Sequence, residues 1–164
     1  MTFTTIEGIS DHSNKLHKAV NNSVLFILSI QLQHFSLDNS VSVGVNRYHK
    51  IMADHHTNLC YFKVSLYHGQ RKLSTSNSFQ LHEQESVSLC SRVARFPLNL
   101  LSLDQVTVVL KIKRWTTFLR KDVPVCEIVF SSDSKGRPGE HWRSLLRQPD
   151  TTVTLWHEGQ KGDQ

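Results

Sequence analysis

Gly136 to His157, GRPGEHWRSLLRQPDTTVTLWH, is the stretch that most restricts what this chain can fold into. Trp142, Leu145 and Leu146 recur at helical spacing, while Glu140, Arg143 and Arg147 fall on the other side, which predicts an amphipathic helix. Pro138 suits a first helical turn, where its missing N–H costs nothing. Pro149 stops the helix soon after Arg147. Val153 and Leu155 then alternate with Thr152, Thr154 and Trp156, the period of two of a short strand. A helix with one large aromatic, followed at once by a strand with another, is an element built to dock. Neither buries its apolar side alone, so the rest of the chain must supply the surface.

That surface reads as β-structure. In Val24 to Phe35, Leu28, Ile30 and Leu32 alternate with Ser29, Gln31 and Gln33, a strand with one buried and one wet face. Leu59 to Tyr67 places Phe62, Val64 and Leu66 on one face and Tyr61, Lys63, Ser65 and Tyr67 on the other. Gly69 and Gln70 make a turn into a short polar strand at Lys72 to Ser78. Val87 to Phe96 alternates more weakly and ends at Pro97. Val106 to Ile112 is β-branched and reads as buried on much of both faces, and Val125 to Phe130 is a further strand. Thr2 to Ile9 is a first strand and Ser10 to Asn22 a loop. Ser36 to Asn58 reads as a long irregular connector, Leu98 to Leu103 as an apolar one, and Trp115 to Val123 as a loop. The expectation is an all-β, eight-stranded antiparallel sandwich with one helix before the last strand.

A chain of 164 residues is long enough for one such domain with a real core. Its formal net charge of +5 favours anionic partners. The basic residues form no long run, and no RNA-binding aromatic signature appears, so nucleic acid is not expected. Cys60, Cys90 and Cys126 are an odd, widely spaced set, which argues against a disulfide framework and reads as buried thiols in a reducing compartment. The longest apolar run, Val24 to Ile30, is far too short for a membrane-spanning helix. His55, His56, Cys60 and His82 match no zinc spacing. No cysteine sits beside an evident base, and no GxxxxGK loop is present. The residues therefore indicate a binding module with no catalytic site, no cofactor and no metal.

The closing block resembles the membrane-binding C2 domains of the synaptotagmin family, specifically the second C2 domain. His141-Trp142-Arg143-Ser144-Leu145-Leu146-Arg147-Gln148-Pro149 stands for the family's HWxxMLxxPR, and Trp156-His157 for the start of its WHxL. Leu145 replaces the usual Met, and Gly159 replaces the final Leu. Cys60 to Val64, Phe96-Pro97, Val106 to Leu110 and Cys126 to Phe130 match more loosely, so the resemblance spans about residues 20–158. Residues 1–19 lead into that domain and 159–164 form a tail. Most family members carry two C2 domains, and this length has room for one.

The resemblance implies a calcium-dependent membrane clamp, but its acidic positions fall on Leu59, Ile112 and Arg114, with Asp54 and Asp122 nearby. Calcium requires a dense shell of oxygens, so no calcium site is expected. The family's lipid-binding strand corresponds to about Gln70 to Ser78, with Arg71 and Lys72. Lys111, Lys113, Arg114, Arg120 and Lys121 add charge, and Trp115 stands in the family's third loop. The expected function is calcium-independent, membrane-proximal binding in vesicle trafficking or exocytosis. The partners are an acidic phospholipid surface held weakly, a trafficking protein, or both, in the cytoplasm and peripheral to membranes. A scaffolding β-sandwich without lipid contact is the alternative.

Overall fold

A computed structural model describes residues 24–50, 60–81, 93–116 and 120–160. Nine strands and one long helix lie among them: β1 Val24–Phe35, β2 Ser40–Lys50, β3 Cys60–His68, β4 Arg71–Thr75, β5 Phe79–Leu81, β6 Val93–Pro97, β7 Val106–Thr116, β8 Lys121–Phe130, α1 Gly136–Arg147 and β9 Val153–Gln160. They form two antiparallel sheets, one of four strands in the order β6-β2-β1-β9 and one of five in the order β4-β3-β7-β8 with β5 also on β3. The period-two patterns supply the core between them. Phe26, Leu28, Ile30 and Leu32 from β1 and Val41, Val43 and Val45 from β2 face Phe62, Val64 and Leu66 of β3 and Val108, Leu110 and Ile112 of β7. The all-β sandwich with one helix before its last strand is therefore as expected, with nine strands among the described residues where eight were expected.

Three expectations need correction. The connector read over Ser36 to Asn58 contains β2, which pairs with β1 from Phe26↔Lys50 to Phe35↔Ser40. Its inward Val41, Val43 and Val45 are at most 1% exposed. Trp115 and Thr116 belong to β7 rather than to a loop, because the ladder with β8 continues to Thr116↔Lys121. Leu146 lies off the helix's buried stripe and is 48% exposed. The expected Thr2 to Ile9 strand, the Ser10 to Asn22 loop and the start of Val87 to Phe96 lie outside the described residues.

The closing block docks through two tryptophan–histidine pairs. Trp142 is 0% exposed and its Nε1 donates to the Leu103 carbonyl at 3.1 Å. Trp156 is buried on the other side of β9, stacked on His49. His141 and His157, both buried, stack with ring centroids 5.0 Å apart, and each meets the Phe130 ring edge-on. His141 Nε2 lies 2.7 Å from the Val153 carbonyl. A carbonyl only accepts, so Nε2 carries the proton and Nδ1 is left to accept from His157 Nε2, also at 2.7 Å. Burial holds His141 well below the usual histidine range, at about 4. Gly139 allows α1 to begin where it does: a Cβ there would stand 1.8 Å from the Ser134 carbonyl oxygen.

Gly159 explains the missing leucine. β9 continues past His157, and Gly159 pairs with Phe26. A Cβ at Gly159 would lie 2.8 Å from Cys126 Sγ and 3.4 Å from Phe26 Cβ. Cys126 fills the space a side chain would need, and burial pushes its thiol up to about 12, so it packs as an inert apolar group. Gly159→Leu should overpack this corner and lower the unfolding free energy by about 1–3 kcal/mol. In thermal unfolding, adding Cys126→Ala should recover part of that loss. Simple addition of the two losses would show that Cys126 is not the obstacle.

Candidate functional site

The outer face of the five-stranded sheet gathers lysines from three strands. Antiparallel partners stand side by side on one face, with Cβ atoms roughly 4.5–5.5 Å apart. Lys63 on β3 is directly opposite Lys111 on β7, and Lys111 is opposite Glu127 on β8. One step of the pleat along, Tyr61 is opposite Lys113, and at the far end Tyr67 is opposite Lys72. The Lys72 ammonium lies 5.8 Å from the centroid of the Tyr67 ring. Along β7, Lys111, Lys113 and Trp115 follow each other on this face, about 7 Å apart per pair of residues. Trp115 is 41% exposed. The face thus combines four lysines, two tyrosines with half-buried rings and an exposed indole.

Its electrostatics are lopsided. Like charges directly opposite each other oppose folding, and Lys63 and Lys111 are so placed. The relief on that row is Glu127, whose Oε2 is 4.0 Å from Lys111 Nζ with both side chains exposed. Such a contact contributes little. Departures from local stability are expected at functional surfaces.

The remaining expected residues are placed differently. Arg114 alternates onto the inner side of β7, opposite Cys60, half-buried with its Nε sealed from solvent, so it does not join Lys111 and Lys113. Arg71 is exposed at the β3–β4 turn, opposite His68. Arg120 is exposed beyond the end of β7 with φ +48°. Lys121 opens β8, and its side chain lies outside the described residues. Lys63, Tyr61 and Tyr67 were not expected at the site. Their strand parity is legible in the sequence, but the register that sets them beside Lys111, Lys113 and Lys72 is not.

Of the positions that the synaptotagmin resemblance would assign to calcium, Ile112 is 0% exposed in the core. Leu59 and Asp54 lie outside the described residues, as does the Asp122 side chain. Among the described residues, no three His, Cys, Asp or Glu side chains converge as a metal would require. No helix among them is long and apolar enough to cross a membrane.

Two sheets in this order, with the helix ahead of the last strand, are the C2 fold. Solved structures with the same architecture include the third C2 domain of the KIAA1228 protein, with TM-score 0.59 and 14% identity over 88% of this chain and 94% of that one. A C2 domain of RIM from Drosophila gives 0.53 and 12% over 84% and 99%. The first C2 domain of human synaptotagmin XIII gives 0.52 and 14% over 82% and 86%. At such identities the likeness establishes the fold, and it does not single out a second C2 domain of the synaptotagmins. No protein-family model and no curated protein matches the chain.

Proposed function

We propose that this chain is a calcium-independent C2-like module that attaches to acidic phospholipid surfaces, with the outer face of the five-stranded sheet as the contact. The observation that carries this reading is the opposed pair Lys63 and Lys111, continued by Lys113 and Trp115. A lysine near an anionic leaflet contributes about 1 kcal/mol, so four supply about 4 kcal/mol, a dissociation constant on the order of 1 mM. Trp115 adds interfacial contact at the end of the row. Attachment through this face alone is weak and reversible, and a second contact would strengthen it by avidity.

The setting is the cytoplasmic side of a membrane or vesicle, in trafficking or exocytosis, and the part played is binding rather than catalysis. The closing block, with His141-Trp142 and Trp156-His157, supports a second-C2-type ancestry. Sedimentation with phosphatidylserine-containing and neutral vesicles, at low and high salt, tests the reading. Binding to the acidic vesicles at low salt, lost at high salt, is expected because surface charges are screened. No binding to either vesicle at low salt would eliminate the lipid contact and leave a protein-binding scaffold.

A further inference from the structure

β4 borders the lysine face as an edge strand, and its one partner among the described residues is β3. It is five residues long, Arg71-Lys72-Leu73-Ser74-Thr75, and all but the half-buried Ser74 are exposed. Its register on β3 shifts between Leu66 and Tyr67, which leaves Leu73 between the pairs. A short edge strand with few buried side chains lies at the low end of local stability, so it can be drawn away from its neighbour.

Ser74 follows Lys72 by two residues and Arg71 by three. Kinases that select substrates by charge read cations at those two upstream positions with their own carboxylates. Here both cations are exposed and the strand is already extended. The neighbouring hydroxyls are engaged. Thr75 Oγ1 is 2.9 Å from Ser65 Oγ and donates to the Val64 carbonyl at 3.3 Å, and Ser76 Oγ accepts from Val64 N–H at 3.0 Å. The Ser74 hydroxyl takes no part in these bonds. Thr116 has the same spacing behind Lys113 and Arg114. It ends β7, which lies between β3 and β8, and Arg114 is turned to the inner side and half-buried. Ser74 is therefore the hydroxyl that a charge-reading enzyme can reach with both cations.

We infer that Ser74 is a phosphorylation site for a serine kinase that reads basic residues, and that the phosphate weakens the lysine face. Ser74 Oγ bonds to the γ-phosphorus of ATP, the bond from that phosphorus to the departing ADP oxygen breaks, and the hydroxyl proton passes to the kinase's catalytic carboxylate. The product carries about two negative charges at neutral pH. Ser74 stands opposite Leu66, which is 1% exposed, on the inner side of the sheet's rim. A dianion is not held there out of water, so the C-terminal half of β4 leaves β3. Lys72 then loses its place 5.8 Å from the Tyr67 ring centroid, and the phosphate offsets about two of the four lysine charges. The effect on binding rests on the lysine-face reading above, and the site itself does not.

Incubation of the full chain with ATP and the catalytic subunit of cyclic-AMP-dependent protein kinase, followed by mass-spectrometric peptide sequencing, tests the site. One phosphate is expected, on Ser74. Ser74→Ala should remove it, and Arg71→Ala with Lys72→Ala should remove most of it. No phosphate on the folded chain, or phosphate on Thr75, Ser76 or Thr116 in its place, overturns the site. Hydrogen exchange without lipid should show the β4 amides losing protection on phosphorylation, and unchanged protection overturns the release of the strand. On phosphatidylserine vesicles at low salt the phosphorylated chain should bind about tenfold or more weakly than the parent. Kinase-treated Ser74→Ala should bind like the untreated parent. Equal binding by the parent and the phosphorylated chain overturns the effect on the face. A parent that binds no acidic vesicle sinks the lipid reading instead, and phosphate on Ser74 with the exchange change then upholds the site on its own.

Discussion

Trp142→Ala is expected to lower the free energy of unfolding by about 3–5 kcal/mol, the largest loss from any single side chain discussed above. The indole has no exposed surface, and it is the largest group by which α1 reaches the sandwich. Alanine there removes its buried area and leaves a cavity. It also strands the Leu103 carbonyl that Trp142 Nε1 satisfies at 3.1 Å. Trp115→Ala is the control. It deletes a side chain that is 41% exposed and should change stability by no more than about 0.5 kcal/mol. Urea unfolding of both variants would check the pair. A Trp142→Ala loss below about 1 kcal/mol would mean that α1 is not packed as described.

Acid should be the second large perturbation, through His141. Its folded-state value is about 4, against 6.5 for the free side chain, and burial is the main cause. Between those values the unfolded chain binds the proton more readily than the folded one. Stability from this group is complete above pH 6.5 and falls as the pH drops toward 4, by about 3 kcal/mol in all. The geometry gives the same sign. A proton on His141 Nδ1 would confront the N–H of His157 that it now accepts. Denaturant titrations at pH 7, 5.5 and 4 should show the decline, and His141→Gln should flatten it. Equal slopes in parent and variant would place the acid sensitivity elsewhere.

Much of this sandwich is legible in the sequence because burial on one face imposes a period of two. β1 and the inward face of β3 are read at the positions where they lie. β2 is harder, because Ser40, Ser42 and Gly44 on its outer face are residues that loops favour, and they mask the inward valines. At Gly44 a Cβ would stand 2.8 Å from Gln31 Nε2, the flexible end of a side chain on the neighbouring strand that can shift aside. In α1 the apolar spacing identifies Trp142 and Leu145, but Leu146 lies about 100° further around the helix and points to solvent. The buried stripe continues through His141 and Ser144, which polarity disguises. The candidate site is less legible still. Lys63 joins Lys111 through strand register, a long-range property, and Arg114 leaves the patch by parity alone.

Binding is proposed to reside on the lysine face and to need no calcium. Its most direct test is the affinity of the parent and of Lys63→Glu with Lys111→Glu for phosphatidylserine vesicles at low salt, each with calcium and with a chelator. Equal parent binding is expected in both conditions, with a loss of about 30-fold or more in the variant, since two lysines contribute about 2 kcal/mol. Binding that appears only with calcium, and survives the double substitution, would contradict it.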